Sequence, residues 1–303
     1  MARATGPGAT TATSEPSNAA PQTTPTTATS TTTPTRLNSG ASGWTAGPWQ
    51  PAGRPVNGRP AVLTALLQPT AGAVGGGAVA AARLDSSRLR VVLYAGTTEP
   101  GGTWTDQGAV VSALRPSLVA TFNSGFLLKS SRGGFYADGR AAVALRDGAA
   151  SLVIFQDGSA TVGAWGRDVR LGANVAAVRQ NLELLVDGGH PAPNISTNVL
   201  PTWGFTLHGA IPTWRSAVGV DGAGQLLYVG GPGLDPSGLA GAMIAVGAVR
   251  AMELDINPAW VSFTTFTDGP GGLTGTKLMP AMNPSANHFL SPSPRDFFAA
   301  FAR

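Results

Sequence analysis

Asp235-Pro236-Ser237-Gly238-Leu239-Ala240-Gly241-Ala242-Met243-Ile244-Ala245-Val246 runs through Gly247 into Ala248-Val249-Arg250-Ala251-Met252-Glu253-Leu254-Asp255. Asp235 is a strong N-cap residue, and Pro236 suits the first helical position because its missing N–H has no partner there anyway. A helix is therefore predicted over about Ser237–Val246. Gly247 supplies the left-handed residue that ends it. The run Ala248–Asp255 then reads as a strand that finishes on two carboxylates.

Working outward, Ala78–Leu84 and Leu89–Tyr94 read as two strands joined by the polar turn Asp85-Ser86-Ser87. Asp106–Arg115 fits a short helix, and Leu118-Val119-Ala120-Thr121-Phe122 a buried strand. Strands follow at Ala141–Leu145, Ser151–Phe155 and Ala160–Gly163, with Asp147-Gly148 and Asp157-Gly158 as hairpin turns. Ala173–Gln180 reads as a helix and Leu182–Val186 as a strand running into Asp187. Hairpins are too frequent for a purely parallel sheet. The fold class is α+β (mixed α/β), a single domain over 53–303 with a mixed sheet and a few helices.

Residues 1–36 are almost wholly Thr, Ala, Pro and Ser. Such a stretch buries too little apolar surface to offset its ordering entropy. A disordered stalk and linker is expected over 1–52, carrying two isolated tryptophans, Trp44 and Trp49, that are candidates to dock on the domain edge.

Charged residues make up only 12% of the 303 residues and the net charge is +4. Lys129 and Lys277 are the only lysines, and no Lys/Arg cluster interleaves with aromatics, which argues against nucleic-acid binding. With no cysteine, disulfides, zinc–thiolate sites and thiol catalysis are excluded. No apolar run reaches the roughly 18 residues of a membrane span. Met1-Ala2-Arg3-Ala4 is not followed by an apolar core, so no signal peptide is read. The stalk and the lack of cysteine nonetheless fit an exported, extracytoplasmic protein. Export would need a leader ahead of this start.

There is no phosphate-binding glycine loop, no nucleophile elbow and no paired-histidine zinc motif. His190, His208 and His288 are scattered, so neither a metal site nor a cofactor is expected. Three strand ends carry unusual polar groups. Asn123-Ser124-Gly125 breaks a strand between Phe122 and Phe126, presenting amide and hydroxyl groups where open sheets collect ligands. Arg215-Ser216 sits in an otherwise apolar strand; the guanidinium suits either bidentate phosphate recognition or a structural carboxylate. Glu253 and Asp255 alternate onto one face and are candidate catalytic carboxylates, or caps for neighbouring loops.

The order of these segments resembles the phosphodiester glycosidase family, which includes the uncovering enzyme of lysosomal targeting. Asn123-Ser124-Gly125-Phe126 matches its N-G-G-F-F, and Arg215-Ser216-Ala217-Val218-Gly219 its R-T-A-I-G. Leu254-Asp255 matches the start of its L-D-G-G-G-S, and Leu184–Gly189 a further L-V-x-x-G segment containing Asp187. Two departures stand out. Leu127 replaces the second Phe, and Ile256-Asn257-Pro258 replaces the glycines after the aspartate. The resemblance implies hydrolysis of a sugar-1-phosphodiester in a bacterial envelope glycan. Asp255 and Glu253 would be catalytic, and Asn123, Ser124, Gly125, Arg215, Ser216, Asp187 and Asn257 would bind substrate. The alternative is a non-catalytic envelope module that binds glycan or phosphorylated polymer in the same cleft.

Overall fold

Along the strand Phe297–Ala302, Phe297, Ala299 and Phe301 face one apolar cluster, while Phe298 and Ala300 face another. Leu226–Leu234 behaves the same way, with Leu226 and Tyr228 on one side and Leu227 and Val229 on the other. Successive side chains of a strand point to opposite faces, so a run apolar at every position needs cover on both. The computed structural model, which describes residues 43–70, 77–206 and 209–303, provides that cover with three packed sheets.

The largest sheet has nine strands, ordered Trp44–Ala46, Val62–Pro69, Val79–Leu84, Leu226–Leu234, Thr213–Asp221, Ala248–Glu253, Leu184–Asp187, His190–Pro191, with Gln50–Ala52 also paired to Val62–Pro69. A second sheet orders Gly272–Lys277, Phe263–Gly269, Leu118–Asn123, Phe297–Ala302 and Leu89–Tyr94. A third orders Ala160–Ala164, Ala150–Phe155, Val175–Gln180, Phe135–Ala137 and Arg140–Val143. One central core joins all three, with Met252, Phe122 and Leu152 among its buried members.

The helix Pro236–Ala245 covers the other face of the nine-stranded sheet through Leu239, Ala240, Ala242 and Met243. Asp235 caps it by accepting from Gly238 N at 2.6 Å, and Gly247 follows at φ +99°. Both features stand as the sequence reading has them.

Among the described residues strand accounts for 44% and helix for 11%, so the α+β reading holds only in its coarse form. The expected mixed sheet is corrected: every strand pair among the described residues is antiparallel, with only isolated bridges running parallel. Ala173–Gln180, expected as a helix, is the strand Val175–Gln180. Its buried position between two neighbours overrides the helical preference of its alanines. Asp106–Arg115 is not a helix either. Gly108 sits at φ +74°, and only a 3₁₀ turn forms around Pro116, over Ser112–Ser117.

Val79–Leu84 and Leu89–Tyr94 lie in different sheets, so their connection is a crossing between layers and not a hairpin. Asp157-Gly158 does join paired strands, whereas Asp147-Gly148 joins strands that are not neighbours. The linker reading fails over residues 44–52, which form two strands and bury Trp44 to 1% exposure. The Thr/Pro-rich stretch 1–36 and His208 lie outside the described residues.

Candidate functional site

The ends of two strands from different sheets meet at one seam. Leu118–Asn123 ends in the turn Asn123–Phe126, and Ala248–Glu253 ends in Leu254–Asn257. A backbone bond stitches them, Asp255 N donating to Ser124 O at 3.0 Å, while Leu254 N donates to Ser216 O of the adjoining strand Thr213–Asp221 at 2.8 Å. Asn123 is the pin. Its Oδ1 accepts from Tyr228 Oη and Ser262 N, both at 3.0 Å, and its Nδ2 donates to Ser216 Oγ at 3.0 Å and Ser124 O at 2.9 Å. Ser216 Oγ in turn donates to Asp255 O at 2.8 Å. Asn123 and Ser216, expected to touch substrate, are buried and spend their hydrogen bonds on this seam. Ser124 is also buried, and its Oγ has no partner. Gly125 is required by packing: a Cβ there would lie 2.9 Å from Asn181.

Arg215 is corrected more sharply. It is fully buried and pairs with Glu253 Oε1 at 2.5 Å, with Glu253 equally buried. Its remaining donors reach the carbonyls of Leu234, Trp203 and Ile211. Each guanidinium nitrogen is engaged and the side chain is wholly buried, so it clamps the Val199–Trp203 helix and the loop after it, out of reach of a phosphate. Burial pushes the Glu253 carboxyl up to about 7, against the lowering pull of Arg215. Glu253 Oε2 has no partner and no route to solvent, so this carboxylate is not placed to meet a substrate.

Asp255 does reach a cleft. It lies at the floor of a cavity of about 390 Å³, also lined by Phe126, Leu127, Ser130, Arg132, Leu182, Pro201, Gly204, Phe205, Ile256, Asn257 and Arg295. Its Oδ2 accepts from Arg295 Nη2 at 2.9 Å and its Oδ1 from Asn257 N at 2.8 Å. Burial raises its pKa, and the Arg295 guanidinium opposes that rise. Arg295 Nη2 also donates to Gly125 O at 2.8 Å, tying the carboxylate to the first turn. Asn257 lines the cleft, and its Oδ1 accepts from Ala259 N at 2.9 Å. Asp187 is not here: it pairs with Arg167 at 2.7 Å beside the edge strand His190–Pro191.

Three supporting residues escaped the sequence reading. Arg179 is buried and donates to Asp296 Oδ2 at 2.7 Å and to Phe126 O. Asn181 accepts from Phe126 N at 3.1 Å and donates to Glu253 O at 2.8 Å. Together they hold the turn after Asn123. Arg179-Gln180-Asn181 is another apolar strand ending in polar groups, and that signal was masked by reading the segment as a helix. Arg295, beside the all-buried strand Phe297–Ala302, is the third. Among the described residues no group of three or more His, Cys, Asp and Glu side chains is arranged to hold a metal.

No protein-family model matches this chain and no curated protein matches it in sequence. Among solved structures it is similar to the zebrafish N-acetylglucosamine-1-phosphodiester alpha-N-acetylglucosaminidase catalytic domain auto-inhibited by pro-peptide, at TM-score 0.51 and 16% identity, covering 84% of this chain and 88% of that one. It also matches a hypothetical protein from Synechocystis at TM-score 0.44 and 13% identity, covering 84% of this chain and 64% of that one. The first likeness shows a distantly shared fold. No helix among the described residues is long and apolar enough to cross a membrane.

Proposed function

We propose that this chain hydrolyses the glycosidic bond of a sugar-1-phosphodiester in the bacterial cell envelope. The reading is carried by Asp255, a carboxylate fixed at the floor of a cleft with a cation 2.9 Å away. The fold shared with a phosphodiester glycosidase supports it. The departing phosphomonoester is a good leaving group. The bond from the anomeric carbon to its oxygen breaks with the electron pair leaving on the phosphate. Water then bonds to that carbon and loses a proton, and the products are the free sugar and a phosphomonoester. Asp255 stabilises the positive charge that develops on the sugar or accepts the proton from water. Glu253 and Arg215 act one layer behind, holding the strand that carries Asp255.

One observation favours a second reading, a non-catalytic envelope module binding glycan or phosphorylated polymer. Both Asp255 oxygens are already engaged, one by Arg295 and one by Asn257 N. The two readings separate on one measurement. The purified chain is incubated with a panel of sugar-1-phosphodiesters and free sugar is followed. Release supports the hydrolase, while saturable binding of the panel without release assigns the binding module.

A further inference from the structure

The cleft needs a group to receive the phosphate, and the backbone of the Asn257–Trp260 turn does not supply one. The N–H groups of Asn257, Ala259 and Trp260 are consumed inside their own turn, by Asp255 Oδ1, Asn257 Oδ1 and Asn257 O. Arg215 is buried away from the cleft and Arg295 is neutralised by Asp255. The remaining cation of the lining is Arg132, which forms no ion pair among the described residues.

Arg132 is exposed, and its backbone sits at φ +52°, a conformation that costs a non-glycine residue. Its Nη2 donates to Thr202 O, which props the guanidinium against the Val199–Trp203 helix and leaves the other donors free. The same wall carries Phe205, 76% exposed at the cleft mouth, the most exposed large apolar side chain described. Phe205 is set there by Gly204, at φ +98°, where a Cβ would meet Phe126 at 2.6 Å.

We infer that Arg132 binds the phosphate of a phosphodiester and that Phe205 stacks on the organic group esterified to it. This rests on the glycosidase reading for its orientation. Exposure separates the groups: Asp255 is only 8% exposed, where the sugar carbon is placed on that reading, while Arg132 and Phe205 are both exposed. The phosphate lies outward of the sugar, on the exposed side of the cleft that holds Arg132, and its substituent lies against the Phe205 ring. The site therefore selects a monoanionic diester with an apolar or planar aglycone.

The test uses the full chain and three probes: dimethyl phosphate and diphenyl phosphate, both monoanions, and neutral trimethyl phosphate. Binding is followed by calorimetry and by shifts in ligand NMR signals. Wild type is expected to bind diphenyl phosphate more tightly than dimethyl phosphate, with no binding of trimethyl phosphate. Arg132→Gln is expected to weaken both monoanions by roughly tenfold or more, and Arg132→Lys less, since the charge stays but the planar fork goes. Phe205→Ala is expected to weaken only the phenyl diester, by roughly three- to tenfold. Unchanged melting temperatures establish that the variants fold.

Unaltered affinity in Arg132→Gln, equal losses for both monoanions in Phe205→Ala, or no binding of either monoanion by wild type would overturn the subsite. Its failure is separable from that of the hydrolase. Wild type that binds both monoanions but releases no sugar keeps the subsite and loses the reaction. Sugar release with undiminished kcat/KM in Arg132→Gln keeps the reaction and loses the subsite.

Discussion

Arg215 Nη1 lies 2.5 Å from Glu253 Oε1, with both side chains wholly removed from solvent. Breaking such a pair from one side leaves an uncompensated buried charge, which costs about 3–5 kcal/mol. Arg215→Ala is therefore expected to destabilise the chain by about that amount. Arg215→Lys should also destabilise it, because Lys cannot reach Glu253 and three carbonyls together. Urea denaturation measures both. A stable Arg215→Ala that has lost phosphodiester binding would return Arg215 to the ligand.

The same pair shapes the pH dependence of stability. Glu253 has a folded-state pKa of about 7 against an ordinary value of 4.5. Between those two values the folded state holds the proton that the unfolded state has lost, so stability falls as pH rises through that window. Asp255 is also raised and contributes with the same sign. Glu253→Gln cannot titrate, and although less stable overall it should lose Glu253's share of that slope. Denaturation midpoints at several values between pH 4.5 and 7 measure it. Identical slopes in the two proteins would show that Glu253 is ionised throughout.

Residues 44–52 belong to the fold. Trp44 is buried against the helix-covered face, and its strand pairs with Val62–Pro69. Removing a buried Trp side chain costs about 3–5 kcal/mol. A chain beginning at Gly53 should therefore melt well below one beginning at Gly43, by roughly 2–4 °C per kcal/mol. Equal melting temperatures would put the strands Trp44–Ala46 and Gln50–Ala52 outside the cooperative unit.

These cases show what the sequence could and could not reveal. Punctuation was readable: Asp235, Pro236 and Gly247 bound one helix, and each cue acts through local backbone chemistry. The polar strand ends were readable too, because Asn123, Arg215 and Asp255 stand out in apolar runs. Their division of labour was not. Whether an arginine meets a ligand or a buried glutamate depends on which strands pair, and Glu253 faces Arg215 only because Ala248–Glu253 adds to Thr213–Asp221. Arg132 carries no local signal, since its role arises from a helix that begins at Val199.

Asp255 decides between hydrolase and binder. Asp255→Asn keeps the side chain's shape and its bond from Asn257 N but removes the charge that Arg295 now balances. A charge stabiliser or base depends on that charge, so sugar release should drop by about 10²- to 10⁴-fold. Without the Asp255 charge the Arg295 guanidinium in the cleft lining is less neutralised, so affinity for an anionic phosphodiester should hold or rise. A binding module shows the same gain in affinity with no turnover in either protein. Sugar release and calorimetric binding are therefore measured on wild type and Asp255→Asn together. Loss of release with affinity kept supports catalysis by Asp255. Undiminished release from Asp255→Asn would remove it from the chemistry and leave it as the residue that orients Arg295.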